Sequence, residues 1–590
     1  MVFDGAMSTS LHASGLTAAD FGGAEHEGCS ESLMITRPGV VEAVHRSYLE
    51  AGADVIETNT FGANGIVLAA YGIAEKAGEL NERAACIARK AADSYATRDK
   101  PRFVAGCVGP TSKLPSLGHV EFAELRDCYR VQIAGLMAGG VDLLCIETCQ
   151  DMLQAKAALY AAMNEFEQAG RSMPVVLSLT FESAGTMLTG TDVAAAIATF
   201  ESCGIITMFG MNCATGPQEM EENLRTMSEC CPKPLLIMPN AGIPEYVDGV
   251  TCYGLSPGEL ERWMERFIDH YGVAAIGGCC GTTPAHIARL SALAEGREPL
   301  RRNPVYVPST SSLYMSQSLR MEPAPLLIGE RCNANGSKSF RGLLLKEDWE
   351  GITALARGQV REGAHMLDVC TAYTGRDEAR DMREIVRRFN TQIQVPLMID
   401  STELNVIESA LQCYAGRCVI NSVSLEDGGG RLRGVAALCR MYGAAVVALC
   451  IDENGIALDA ERKIAVAVRI HDMLLMEGIR EQDMVFDVLT FTLGSGDEEF
   501  RKSAVETLAA IREIKRRYPG CFTCLGVSNI SFGLNPYARR VLNSVFLAEA
   551  IDAGLDMAIV DAARILPLYR IDQDGKETAH RLIHDERRWS

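Results

Sequence analysis

One phrase repeats along the chain: an amphipathic stretch, a Gly or Gly-Ala turn, then a short apolar run ending in a polar or reactive residue. Helical spacing followed by an unbroken apolar run predicts a helix, a tight turn and a buried parallel strand. The polar residue then falls at the strand's C-terminal end. In the first half the strands so predicted are Val2–Gly5, Asp54–Thr58, Phe103–Gly106, Leu143–Glu147, Val175–Thr180, Thr207–Cys213, Leu235–Asn240 and Ala274–Cys280. Between them, stretches such as Pro38–Glu50 and Asn81–Ser94 carry helical periodicity.

From Arg297 to Pro325 the pattern stops, and Pro, Ser, Arg and Tyr follow without a period. That stretch reads as a linker between domains. The phrase then resumes in Leu326–Glu330, His365–Val369, Pro396–Asp400, Cys418–Asn421, Ala445–Asp452, Met484–Asp487, Cys521–Val527 and Asp556–Asp561. Eight strand–helix units in each half match the count and size of a (β/α)8 barrel. The expected fold class is therefore α/β, with two consecutive (β/α)8 TIM barrels joined by a linker. The expected domains are 1–296, a linker over 297–325, a second barrel over 326–570 and a polar helical tail over 571–590. An open doubly wound sheet shares the local pattern, but its reactive residues would gather at one switch point. Here nearly every strand ends in one.

Bulk properties narrow the function. A chain of 590 residues is too long for one ordinary core. A net charge of −20 argues against nucleic acid, which a basic surface would track. No run of about eighteen apolar residues occurs, so no membrane span is expected. The N-terminus lacks the basic and apolar regions of a signal peptide. The 21 cysteines are then expected as reduced thiols or metal ligands in a cytoplasmic protein.

Three of those cysteines stand apart. Cys213 closes one predicted strand, and Cys279-Cys280 close another between Gly277-Gly278 and Gly281. In a barrel the sixth and eighth strands open onto one face, so three thiolates could converge on zinc, which suits sulfur and tolerates an open fourth position. A lone strand-end cysteine is otherwise a buried apolar thiol; flanking glycines, which let both side chains face the mouth, are not needed for packing. Cys230-Cys231, in a polar turn, and Cys521-x-x-Cys524, along a strand, need not converge.

With Asp4-Gly5-Ala6-Met7, Glu57-Thr58-Asn59-Thr60-Phe61, Glu147-Thr148, Met211-Asn212-Cys213 and Gly277-Gly278-Cys279-Cys280-Gly281, the first half resembles the homocysteine S-methyltransferase family. The resemblance implies zinc on Cys213, Cys279 and Cys280, with the homocysteine sulfur as a further ligand. It also implies that Glu147 and Asp4 hold the amino acid's ammonium. Ser8 stands where the family more often has Gly. Asn240, ending the seventh strand in the homocysteine site, is placed either as the weak ligand that holds the zinc's fourth position before substrate enters or as a cap on the strand–helix turn.

In the second half the strand ends are carboxylates and amides: Asp368, Asp400, Asn421 and Asp487, with Asn529 just past the next strand. Such a cup can accept hydrogen bonds from an amino-substituted heterocycle and donate to its ring acceptors. Any one alone could be a helix cap. Gly329-Glu330-Arg331-Cys332-Asn333-Ala334-Asn335-Gly336-Ser337, Leu367-Asp368-Val369, Met398-Ile399-Asp400-Ser401-Thr402, Ile420-Asn421-Ser422 and Gly526-Val527-Ser528-Asn529 resemble the pterin-binding methyltransferase family. The resemblance implies that Asp400, Asn421 and Asp487 bind the pterin ring, with Asp368 a weaker member. It places Asn529 near N5 as the catalytic residue that polarises while solvent supplies a proton. Cys370 and Asp561 stand where relatives often carry Asn.

The function implied is methyl transfer from 5-methyltetrahydrofolate to homocysteine. Relatives with this domain order carry the methyl group on cobalamin, and no Asp-x-His-x-x-Gly signature of a cobalamin module occurs here. Methylcobalamin is thus expected on a separate domain or protein, with this chain a fragment or acting with a carrier in trans. The alternatives are a fusion of the first barrel to a methylenetetrahydrofolate reductase-type flavin barrel, and a non-catalytic module that docks a corrinoid protein.

Overall fold

Seven parallel strands line up in chain order in the first half: β1 (Val55–Glu57), β2 (Phe103–Val108), β3 (Leu143–Cys149), β4 (Val175–Leu179), β5 (Ile206–Asn212), β6 (Leu235–Met238) and β7 (Ala275–Ile276). The computed structural model describes residues 1–247 and 250–586. The expected first strand, Val2–Gly5, is reduced to two bridges, Val2 to Ile276 and Phe3 to Val55. The Phe3 amide donates to Ile276 at 2.8 Å and the Asp4 amide to Val55 at 2.9 Å, so the N-terminus joins the last strand to the first. No ladder extends further, because the Asp4 carbonyl accepts from Gly278 and the chain turns into helix Met7–His12.

The second half holds a closed parallel barrel of β8 (Leu326–Asn333), β9 (Met366–Cys370), β10 (Leu397–Asp400), β11 (Val419–Val423), β12 (Ala445–Leu449), β13 (Met484–Asp487), β14 (Phe522–Gly526) and β15 (Met557–Val560), with β15 paired back to β8. The expected strand Ala445–Asp452 stops at Leu449, and Ile451–Asp452 turns into a hairpin with Gly455–Ile456.

The chain divides into two compact units, Met1–Tyr306 and Val307–Ser590. The stretch expected as a linker is therefore connecting chain only in part. Ser309–Ser311 and Ser316–Ser318 form an antiparallel hairpin in the second unit. The fully buried Arg417 donates to the Ser309 carbonyl at 2.9 Å, and its amide takes the Ser311 hydroxyl oxygen at 2.8 Å. Leu319 then sits in the barrel core, with Met321 packed against it. A serine-rich hairpin held to Arg417 largely through backbone groups leaves no apolar period to read. Helix Gln573–Ile583 occupies most of the expected tail, while 587–590 lie outside the described residues. Among the described residues no helix is long and apolar enough to cross a membrane.

Side chains on one face of a strand repeat every second residue. In the first unit Phe3, Val55, Ala105, Cys145, Val176 and Leu236 pack together as an apolar floor. Two residues on from four of these, the inward positions become Glu57, Cys107, Glu147 and Ser178. In the second unit Met366, Met398, Val419 and Val485 belong to the core, and two residues on stand Asp368, Asp400, Asn421 and Asp487. One rule thus builds a hydrophobic floor and a polar mouth in both units.

Candidate functional site

Cys213 follows directly on β5, and its φ of 63° is left-handed, a conformation costly for a residue with a side chain. Cys279 and Cys280 follow β7, where the Cys279 amide donates to Pro239 at 2.8 Å and the Cys280 carbonyl accepts from Ala241. These turns bring the three sulfurs within 4.8 Å of one another, Cys213 to Cys280 at 3.9 Å. Gly281 has φ of 79°, and a Cβ there would lie 2.2 Å from the Tyr253 ring, so only glycine fits beside the pair. Hydrogen bonds from Cys213 and Cys279, with Tyr253 adding its own, pull the Cys280 thiol down to about 3. Its two partners move up, Cys213 to about 12.

Beneath the sulfurs lie three buried carboxyls. Asn212 links them to the thiols: its amide nitrogen donates to Glu147 at 3.0 Å and to the Thr148 hydroxyl at 2.7 Å. Its oxygen accepts from the Thr148 amide at 3.0 Å and the Ser178 hydroxyl at 2.6 Å. Thr148 is itself left-handed, with φ of 56°. The Cys107 thiol donates to Glu147 at 2.8 Å. Burial lifts Glu147 to about 7 and pushes Asp4 and Glu57 up, the latter two with added repulsion from Glu57 and Glu147 respectively. Asp4 Oδ1, Glu57 Oε1 and Asn240 Oδ1 are buried without a hydrogen-bond donor. Three orphaned acceptors beside sulfur suit a ligand that carries a cation and a thiol.

In the second unit Asn333 is the keystone. Its amide nitrogen donates to Asp368 at 3.1 Å and Asp400 at 3.0 Å, while its oxygen takes the amides of Asn335 and Gly336. Burial and the charge of Asp400 raise Asp368 to about 8, against donation from Asn333 and Asn421. Burial raises Asp400 to about 6, opposed by hydrogen bonds from Cys370 and Asn333. Asp487 is also lifted by burial to about 6, although the Leu489 amide donates to it at 2.8 Å and the Lys463 ammonium and Gly526 amide draw it down. Leu489 pays for that contact with φ of 60°. Asn529 is exposed at the barrel mouth, its amide nitrogen 3.0 Å from where a Cβ on Gly526 would lie. Asp368 Oδ1 has no donor.

Residues 1–294 match the family described as homocysteine S-methyltransferase, and 329–561 the family described as pterin binding enzyme. The chain joins one domain of each family. It is 47% identical over its whole length to "Methionine synthase" of Mycobacterium tuberculosis (strain ATCC 25618 / H37Rv), and 47% identical to that of Mycobacterium leprae (strain TN). It spans about half the length of these curated relatives, 49% of each. Among solved structures, the metallated form of the homocysteine methyltransferase MmuM from Escherichia coli is similar at 26% identity and a TM-score of 0.40, over 50% of this chain and 95% of that one.

In the homocysteine S-methyltransferase domain, Cys213, Cys279 and Cys280 come together, with Glu147 and Asp4 buried beneath them and Asn240 next to Cys279's backbone partner Pro239. Three further residues join the site without a role assigned from sequence: Glu57 and Asn212, which stand in the quoted motifs, and Tyr253. In the pterin-binding domain Asp368, Asp400 and Asn421 converge through Asn333 and Asp368, while Asp487 and Asn529 meet around Gly526. Cys370 is part of the cup, through Asp400. Asp561 pairs with Arg564 at 3.0 Å.

Proposed function

We propose that this chain is the folate- and homocysteine-binding half of a cytoplasmic methionine synthase, transferring a methyl group from 5-methyltetrahydrofolate to homocysteine. The observation that carries the reading is the pairing of a three-thiol mouth over orphaned carboxylates with a separate barrel whose mouth is a carboxylate–amide cup. Tetrahedral zinc with Zn–S of about 2.3 Å spaces its sulfurs about 3.8 Å apart. The 3.9 Å between Cys213 and Cys280, and three soft donors with an open fourth direction, fit that ion. Zinc on Cys213, Cys279 and Cys280 would supply the Lewis acidity that keeps homocysteine's sulfur, pKa ~8.5 as a free thiol, ionised at neutral pH. A cobalamin carrier on a separate domain or protein would relay the methyl group.

The chain's own residues do the rest. Asp4 and Glu147 hold the ammonium, whose donors fill the empty acceptor of Asp4, and Asn212 fixes the Glu147 carboxylate through the 3.0 Å hydrogen bond. Asn240 turns its unfilled oxygen to the same substrate. In the second unit Asp368, Asp400, Asn421 and Asp487 grip the pterin's amino and ring N–H groups. Asn529, exposed at the mouth, aligns N5 and polarises it, while solvent delivers the proton that a neutral amide cannot.

The test separates two half-reactions. Asn529→Ala and Asp487→Ala are expected to impair methyl transfer from methyltetrahydrofolate to supplied cob(I)alamin, yet to spare homocysteine methylation by methylcobalamin. The loss of chemical rate for Asn529→Ala is expected to be about 10²-fold, that of one preorganised donor. Cys213→Ser should do the reverse. Parallel loss of both half-reactions in Asn529→Ala, with its circular dichroism unchanged, would mean one shared site and end the proposal.

A further inference from the structure

A different set of metal-type donors lies on the helices outside the second barrel. His580 and His584, four residues apart around the end of helix Gln573–Ile583, stand on one face with ring centroids 4.4 Å apart. The adjoining face carries Ala579 and Ile583, both buried. Glu549, on helix Pro536–Ala553, meets both imidazoles: its Oε1 is 2.9 Å from His580 Nδ1 and its Oε2 is 2.7 Å from His584 Nε2. The two nitrogens and a carboxylate oxygen all lie within 4.8 Å of one another. The side chains are 56% (His580), 33% (His584) and 19% (Glu549) exposed, so a hydrated ion can reach them and the open positions can keep water.

We propose that Glu549, His580 and His584 form a binding site for a zinc-type transition-metal ion that pins the helix Gln573–Ile583 to the barrel. Two imidazoles and one carboxylate are a borderline donor set that zinc accepts with a fourth ligand from water. Paired His at i and i+4 need no backbone movement to face one ion. Without metal, each imidazole carries its proton on the nitrogen that faces Glu549. Binding moves that proton to the outer nitrogen and leaves the inner lone pair for the ion. The ion therefore replaces a pair of hydrogen bonds by a tether between two helices. The site uses no group of the thiol mouth or the carboxylate cup, so it stands independently of the function proposed above.

The experiment counts zinc in the untagged full chain after equilibration with micromolar zinc and gel filtration. Wild type is expected to hold one equivalent more than His580→Ala or His584→Ala, a difference that stands whether or not the thiols are loaded. Limited trypsinolysis reads the tether, since Lys576 and Arg581 lie within the pinned helix. With zinc at ten times its Kd, cleavage there should slow by about tenfold, as the opened population falls in proportion to 1 + [Zn]/Kd. Glu549→Gln keeps an oxygen acceptor for a hydrogen-bonded clamp and should lose the zinc protection. Equal zinc content in wild type and both histidine variants, or cleavage that zinc does not slow in wild type, would overturn the proposal. Full zinc protection in Glu549→Gln would remove the carboxylate from it.

Discussion

Ligand affinity of the carboxylate cup should be set by pH through Asp400 and Asp487, and the structure gives the size of the effect. Both carboxyls are lifted to about 6, in each case first by burial. A carboxylate must be ionised to accept a ring N–H with full strength, and at pH 5 a group of pKa 6 is only about one-tenth ionised. Each required charge therefore weakens binding about tenfold between pH 7 and pH 5, and two charges weaken it by up to ~100-fold. The stability of the empty unit runs the other way. A carboxyl raised above its unfolded pKa contributes most stability below that unfolded value and loses it as pH rises through 6. For the buried Asp487 this swing is on the order of 3 kcal/mol. The cup is thus strained by charge over the window in which its ligand binds best, and the ligand's donors relieve that strain. Asp368, at about 8, stays mostly protonated through this window and adds little slope. The assay is calorimetric titration of methyltetrahydrofolate from pH 5 to 7.5, with the ligand's own protonation measured in buffer and divided out. Asp487→Asn should flatten the slope to that of one group. A Kd that moves less than threefold across this range in wild type, with folding intact by circular dichroism, would show that the charges of Asp400 and Asp487 do not grip the ligand.

Three further outcomes follow from the first unit. Purified protein should carry about one zinc in the thiol mouth, and Cys213→Ser, Cys279→Ser or Cys280→Ser should each cut it sharply by atomic emission; full occupancy in all three would exclude the site. Homocysteine should add a sulfur to the zinc shell, visible by X-ray absorption, and release about one proton near neutral pH; an unchanged spectrum would rule out substrate ligation. Asn212→Ala strands the Thr148 amide, the Ser178 hydroxyl and one Glu147 oxygen, so it should cost about 3–5 kcal/mol in denaturant unfolding of the first unit. A loss under about 1 kcal/mol would show that water enters and satisfies them.

Four legible residues of the second unit share one property: each sits at a fixed offset along a regular strand. Asp368, Asp400, Asn421 and Asp487 follow core residues by two positions on strands whose pairing stays in register up to them. Counting alternation from an apolar run was enough to place them. Asn333 breaks the count. From Ile328 in the core, alternation assigns Glu330 and Cys332 to the barrel interior, yet the pairing of β8 with β9 shifts between Gly329 and Cys332. After that bulge Cys332 turns out to Gln359, whose amide donates to its sulfur at 3.1 Å, and Asn333 turns in. A one-residue slip exchanges the two faces of a strand, and nothing in the Glu-Arg-Cys-Asn run announces it.

The same reasoning separates the first unit's residues. Cys279 and Cys280 were legible because glycines bracket them, and Gly281 does require its left-handed turn against Tyr253. Tyr253 itself was not, because it belongs to a hairpin, Pro244–Val247 with Val250–Tyr253, inserted between β6 and β7. A hairpin laid over a mouth has its own alternation, unrelated to that of the barrel beneath it. Asn212 lay in plain view beside Cys213, but its importance comes from hydrogen bonds to Glu147, Thr148 and Ser178 on two other strands. Such long-range pairing leaves no local pattern, only a polar residue where the floor of the barrel would otherwise be apolar. A polar side chain buried at the end of an apolar run therefore deserves the same suspicion as a cysteine there, since burial without a partner would cost it 1–3 kcal/mol.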